Sequence, residues 1–227
     1  MSRGVINNTS VFAYMQSEYL SSKTNKASVG KTMRLSDGTN LIYCKAATAL
    51  MAGNVVYANP TKLEAKSVST ISEVSEDTIT VTATAVNHVF DNGYLCVTTG
   101  LGNKYTYSIK SHKTIGNTVM FTLNDTLIAK VDTTSKVTII SNLYNNSSSS
   151  GVIALGVSLV NIAIGEHFWV VCKGIVGAVS SEVVAIGKAV ATNGTGAIKA
   201  AIAGDYIIGY TLTASVINEI SPIYINI

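Results

Sequence analysis

The stretch Gly165–Thr195, GEHFWVVCKGIVGAVSSEVVAIGKAVATNGT, constrains the fold more than any other part of the chain. Phe168, Val170 and Cys172 alternate with His167, Trp169 and Val171 between Gly165 and Gly174, so both faces of the segment are apolar enough to be buried. This predicts a covered strand ending near Cys172-Lys173. A second strand is expected at Lys188–Thr192, after Gly187 and before the turn signal Asn193-Gly194.

An earlier segment repeats the pattern. Cys44-Lys45 closes one apolar run as Cys172-Lys173 closes the other, and Gly53 leads to Val56 as Gly187 leads to Val190. Asn161–Gly165 is a looser third copy. Glycine at the start of a strand permits the positive φ that a sharp corner requires. Three such corners predict a small barrel that turns by one device, with a chance match in a chain rich in Ala, Val and Gly as the alternative.

The remaining pattern is also that of strands. Ser36-Asp37-Gly38-Thr39 reads as a tight turn between Met33 and the strand Asn40–Lys45, and Asn54–Ala58 forms another short strand. Thr78–Val86, Lys104–Lys110, Thr118–Leu123 and Lys136–Ile140 alternate with period two, as does the C-terminal run Ser221–Ile227. The polar segment Tyr144–Gly151 reads as an exposed linker. These elements predict an all-β fold: a small β-barrel module from residues 31–66 and 151–227, a second β module inserted at 67–145, and an N-terminal arm at 1–30. A simple tandem order is the alternative. Within the arm, Val11, Phe12, Tyr14, Met15, Tyr19 and Leu20 supply apolar contacts, either to a partner or to the chain's own domain. Trp169 is expected to be buried as a packing or subunit-interface anchor.

Several kinds of chemistry find little support. With 16 basic and 13 acidic residues spread along 227, no basic field is concentrated enough to hold nucleic acid, and none is expected as a partner. Cys44, Cys96 and Cys172 are too far apart and odd in number for a disulfide framework or a paired-cysteine metal site, and read as small core residues. Neither a secretory signal nor an apolar run of membrane-spanning length is found, so a protein made in a reducing cytoplasm, without membrane contact, is expected. Gly30-Lys31-Thr32 lacks the earlier glycine of a phosphate loop, because Asn25 stands in its place. His88, His112 and His167 fall on separate strand ends or loops, and Glu73, Glu76 and Asp77 read as solvated turn residues. Tyr105 and Tyr107 share one face of a strand, as a half-buried sheet face or a place for a sugar. No catalytic, cofactor or metal residue is assigned, and the expected class is non-enzymatic.

Gly156-Val157-Ser158-Leu159, Asn161–Gly165, the Trp169 strand, Val190–Ile198 and Tyr206–Leu212 follow one another in an order that resembles the capsid decoration, or cement, proteins of tailed bacteriophages. Arg34–Thr39 and Tyr107–His112 are similar to segments of virion proteins of marine podovirus type. The resemblance implies a structural protein on the capsid exterior, bound to the major capsid protein and commonly a homotrimer. It carries over no active site. A receptor- or glycan-binding module of a tail or head fibre is the alternative. For the arm, deletion of residues 1–25 is expected to abolish shell binding and leave a folded product.

Overall fold

The computed structural model describes residues 16–227. Every regular element among them is a strand, and the fold is all-β. The chain divides into two compact units, one of residues up to Asn59 with Tyr144–Ile227, the other of Pro60–Leu143. In chain order the strands are β1 (Thr32–Arg34), β2 (Asn40–Lys45) and β3 (Val55–Ala58), then β4 (Lys62–Ser67), β5 (Thr78–Thr82), β6 (Tyr94–Thr99), β7 (Thr106–Ile115), β8 (Thr118–Leu123) and β9 (Lys136–Ile140). The first unit resumes with β10 (Ser147–Ser148), β11 (Ile153–Ser158), β12 (His167–Val179), β13 (Ala189–Thr192), β14 (Ile198–Ala200), β15 (Gly209–Thr211) and β16 (Ile220–Asn226).

Pro60–Leu143 forms one antiparallel sheet in the order β4-β9-β6-β7-β8-β5. Just beyond β4, Val68 bridges Val81 of β5, so the two ends of the sheet meet and it curls around a core. Alternate residues of its strands, among them Ile79, Leu95, Ile109, Phe121 and Ile139, fill that core. Thr78–Val86 is shorter than its period-two pattern predicts, because the strand ends at Thr82 and the chain then leaves the ladder.

The first unit is built around β12. Its ladder runs β10-β3-β11-β12-β16-β15-β13-β14, and β2 pairs with β12 as well, carrying β1 beyond it. His167–Cys172 is buried on both faces, as its unbroken apolar run predicts. The strand does not end at Cys172-Lys173. It continues to Val179 because Lys173–Val179 pairs with β16, and the register against β2 jumps between Val171↔Leu41 and Lys173↔Asn40. An extra residue at such a bulge passes the inward side from one parity to the other. Trp169 and Val171 accordingly face the core before the bulge, and Val176 and Ala178 face it afterwards. The corner glycines Gly53, Gly165 and Gly187 all have positive φ, between 73° and 82°.

Two boundaries differ from expectation. Lys62–Ser67 belongs with the second unit, since its partner is β9. Tyr144–Gly151 is not an exposed linker: Ser147 and Ser148 are buried and pair with Ala58 and Tyr57 of β3. Its backbone groups are satisfied by that ladder and by Lys45 N–H, which donates to the Tyr144 carbonyl, so its polar composition does not force it into water.

Residues 16–30 dock on their own unit and are not a free arm. Gln16 is buried, and its Nε2 donates to the carbonyls of His167 (2.9 Å) and Leu20 (2.7 Å). Its Oε1 accepts from the Tyr43 hydroxyl at 2.7 Å, and its carbonyl accepts from the Trp169 indole N–H at 3.1 Å. Ser22 and His167 exchange two backbone bonds a little further on. Residues 1–15 lie outside the described residues. Replacing Gln16 by Ala leaves the Tyr43 hydroxyl without its acceptor, at a cost of about 1–3 kcal/mol, while the His167 carbonyl keeps its bond from the Ser22 N–H. The expected loss is therefore about 1–3 kcal/mol in urea unfolding followed by Trp169 fluorescence, and an unchanged midpoint would refute it.

Candidate functional site

Of the residues expected at an interface, Val11, Phe12, Tyr14 and Met15 lie outside the described residues. Tyr19 and Leu20 are at the surface, 44% and 59% exposed. Trp169 is buried as expected, and of its two expected roles it takes packing and not the subunit interface. It is wholly buried, 4.8 Å from the Tyr43 ring by centroids, and covered by Gln16, so it anchors the first unit's core and offers no surface to a partner.

The apolar surface lies further along the same strand. Beyond its bulge, β12 presents Lys173, Ile175, Gly177 and Val179 on the side away from the core. Ile175 is paired with Tyr224 of β16, and Tyr224 with Tyr210 of β15, giving a cross-strand row of three. Gly177 is paired with Pro222 and Val179 with Ile220 in the next rows, while Leu212 donates its N–H to the Pro222 carbonyl. Ile175 (59%), Tyr210 (51%), Leu212 (39%), Ile220 (56%) and Tyr224 (38%) are all exposed, and so is Pro222. A Cβ at Gly177 would come within 2.5 Å of Ile220 Cγ2, so this position stays empty and Ile220 lies down across the sheet. None of these side chains is charged. The charged side chain in these paired rows is that of Lys173, at the end where β12 meets Asn226.

The second unit brings together two histidines that the sequence keeps 24 residues apart. The Asp91 carboxylate lies 2.7 Å from His88 Nδ1 and 3.0 Å from His112 Nδ1, and it also accepts the His112 backbone N–H at 3.0 Å. The His112 ring is buried against Phe90 and Phe121, and its Nε2 meets the Val86 carbonyl at 3.0 Å. Both ring nitrogens are thus engaged with the loop before β6, and the cluster ties that loop to β7. Burial alone would raise the Asp91 carboxyl, but the hydrogen bonds from His88 and His112 and the His112 charge outweigh it and hold the group below the usual carboxylate range. The adjoining open groove, of about 400 Å³, is lined by His88, Ser111, Lys113, Met120 and Thr122 among others. No short-range motif announces the cluster, because its members come from a loop and a strand that the antiparallel register of β6 and β7 sets side by side.

The other sequence candidates are scattered. Among the described residues no group of three or more His, Cys, Asp or Glu is placed to hold a metal ion. Glu73 pairs with Lys130 at 2.6 Å on the surface, and its N–H donates to the Glu76 carboxylate. Tyr107 is buried and Tyr105 is 37% exposed, so the pair forms the half-buried sheet face, with one ring accessible. Gly30 donates its N–H to the Tyr43 carbonyl in a turn before β1, with no helix after it. Cys44 is fully buried and its thiol is pushed up to about 12 by burial. Burial also raises Cys172, whereas Cys96 is partly accessible.

No family model, curated protein or solved structure matches the chain.

A lowered Asp91 pKa means that its ionised form favours the folded state. That contribution is present above the ordinary carboxylate pKa of about 3.9 and is lost as pH falls through the lower folded value. Asp91→Asn is expected to destabilise the second unit at neutral pH, with the gap from wild type closing at acid pH. Thermal unfolding across pH 3–7 checks this, and a gap that does not change with pH would refute it. For the thiols, a colorimetric disulfide reagent is expected to modify Cys96 first in the native protein, and Cys96→Ser to remove that rapid reaction.

Proposed function

We propose that this chain is a non-enzymatic structural protein of a tailed-phage virion that binds the outer surface of the capsid and stabilises it, as a decoration or cement protein. The observation that carries the reading is the uncharged apolar face of β12, β16 and β15 in the first unit. Apolar side chains held side by side by a ladder cannot turn away from water, so covering them is what lowers the free energy, and an assembly of many subunits covers them. The resemblance described above names the assembly. Its partners are then the major capsid protein and further copies of the chain, as a homotrimer, and its place is the capsid exterior.

Stabilisation follows from multivalency. Each subunit's contact with the shell is modest, and joined subunits present several contacts at high effective concentration, so their dissociation requires all contacts to open together. The arm hypothesis is narrowed by the docking of Gln16, Ser22 and Gly30. Deleting residues 1–25 would remove Gln16 from beside Trp169 and damage the fold. Deletion of 1–15 is the cleaner variant.

Purified protein is expected to co-sediment with undecorated shells of its phage to saturation and to raise the temperature at which they come apart. The 1–15 deletion is expected to lose this binding while remaining folded by far-UV circular dichroism. Absence of co-sedimentation, or antibody labelling confined to the tail, would overturn the reading, the latter in favour of a receptor- or glycan-binding module.

A further inference from the structure

We propose that the apolar face of β12, β16 and β15 is the surface on which a second copy of this chain docks. The occupant follows from when the face must be covered. The face meets water from the moment the chain folds, so a partner available at folding covers it sooner than one met only later. Interfaces between partners that live separately are only about as apolar as the rest of a protein surface, whereas those between copies of one chain reach about 65% apolar at their cores. The row Ile175–Tyr224–Tyr210 with Leu212, Pro222 and Ile220 contains no charged group at all. A partner present at the moment of folding meets that need, and another copy is such a partner.

The area agrees. At the exposures above, Ile175, Tyr210, Leu212, Ile220 and Tyr224 leave roughly 100 Å² each in water, or on the order of 500 Å² together, taking about 150–250 Å² for a fully exposed large side chain. A specific interface needs about 800 Å² per partner, so the apolar part alone supplies most of it. The face's two tyrosines suit the centre of such a contact, since each sets a large rigid ring on the sheet and keeps a hydroxyl for hydrogen bonding. Lys173 and Asn226 form a polar margin on one side.

Although it deepens the assembly reading, this proposal requires no shell. Light scattering coupled to size exclusion is expected to give a mass of at least two copies for the full chain at micromolar concentration. Tyr224→Lys, at the middle of the row, is expected to weaken self-association by about 30-fold or more, as loss of a central aromatic anchor does, with native Trp169 fluorescence retained. Tyr210→Ser tests the same row with a smaller change. Hydroxyl-radical footprinting of the unaltered chain reads the surface with no substitution: Tyr210 and Tyr224 are expected to become protected as concentration rises. A monomeric full chain, a folded Tyr224→Lys variant of undiminished mass, or unchanged protection of both tyrosines would overturn the proposal. The two readings separate cleanly. A monomer that coats shells keeps the decoration reading and removes this one, while an oligomer that ignores shells does the reverse.

Discussion

The register shift in β12 opposite Val171 and Lys173 decides which residues of the first unit meet water. Before it, both sides of the strand are covered, with Trp169 and Val171 in the main core and Phe168 and Val170 equally buried on the other side. After it, even-numbered residues point inward and Ile175 is left outside. The shift also coincides with a change of neighbour, since β11 pairs with Val170 and Val171 and β16 takes over from Lys173 onward. One strand thereby serves as a core strand at one end and as part of an exposed apolar sheet at the other.

The core end is closed by a small polar network. Gln16 supplies both a donor and an acceptor to groups more than a hundred residues away along the chain, and the Tyr43 hydroxyl also accepts from Lys26 N–H at 3.2 Å. Buried polar groups of this kind are costly unless every partner is present, so they select one arrangement of the chain's beginning against β2 and β12. His167 shares the site: desolvation holds its imidazole below the ordinary histidine range, against the opposing bond to the Ser22 carbonyl. The neutral ring stacks on Tyr43 with centroids 5.9 Å apart.

In the second unit, polar packing does a related task with charged groups. Asp91 joins two histidines and a backbone N–H, and Thr114 adds bonds to Ala85 and Asn87. The segment that leaves the ladder at Thr82 is therefore held to β7 by side chains where backbone pairing stops. A period-two pattern extending to Val86 misreads this segment as strand because its alternation continues after its ladder has ended.

Alternation, turn signals and glycine positions were enough to specify an all-β chain, the hairpin at Asp37-Gly38, the corners at Gly53, Gly165 and Gly187, and the terminal strand β16, because each depends on neighbours within a few residues. The same locality explains the errors. Whether Ser147 and Ser148 pair or dangle depends on Tyr57 and Ala58, and whether His88 and His112 meet depends on the register in which β6 pairs with β7. Most of all, the period of two reveals that β12 and β16 have two faces, while a bulge and a choice of partner strand determine which face is left apolar and open. That choice is made by contacts distant in sequence, so only the tertiary structure could place the row Ile175–Tyr224–Tyr210 on the outside.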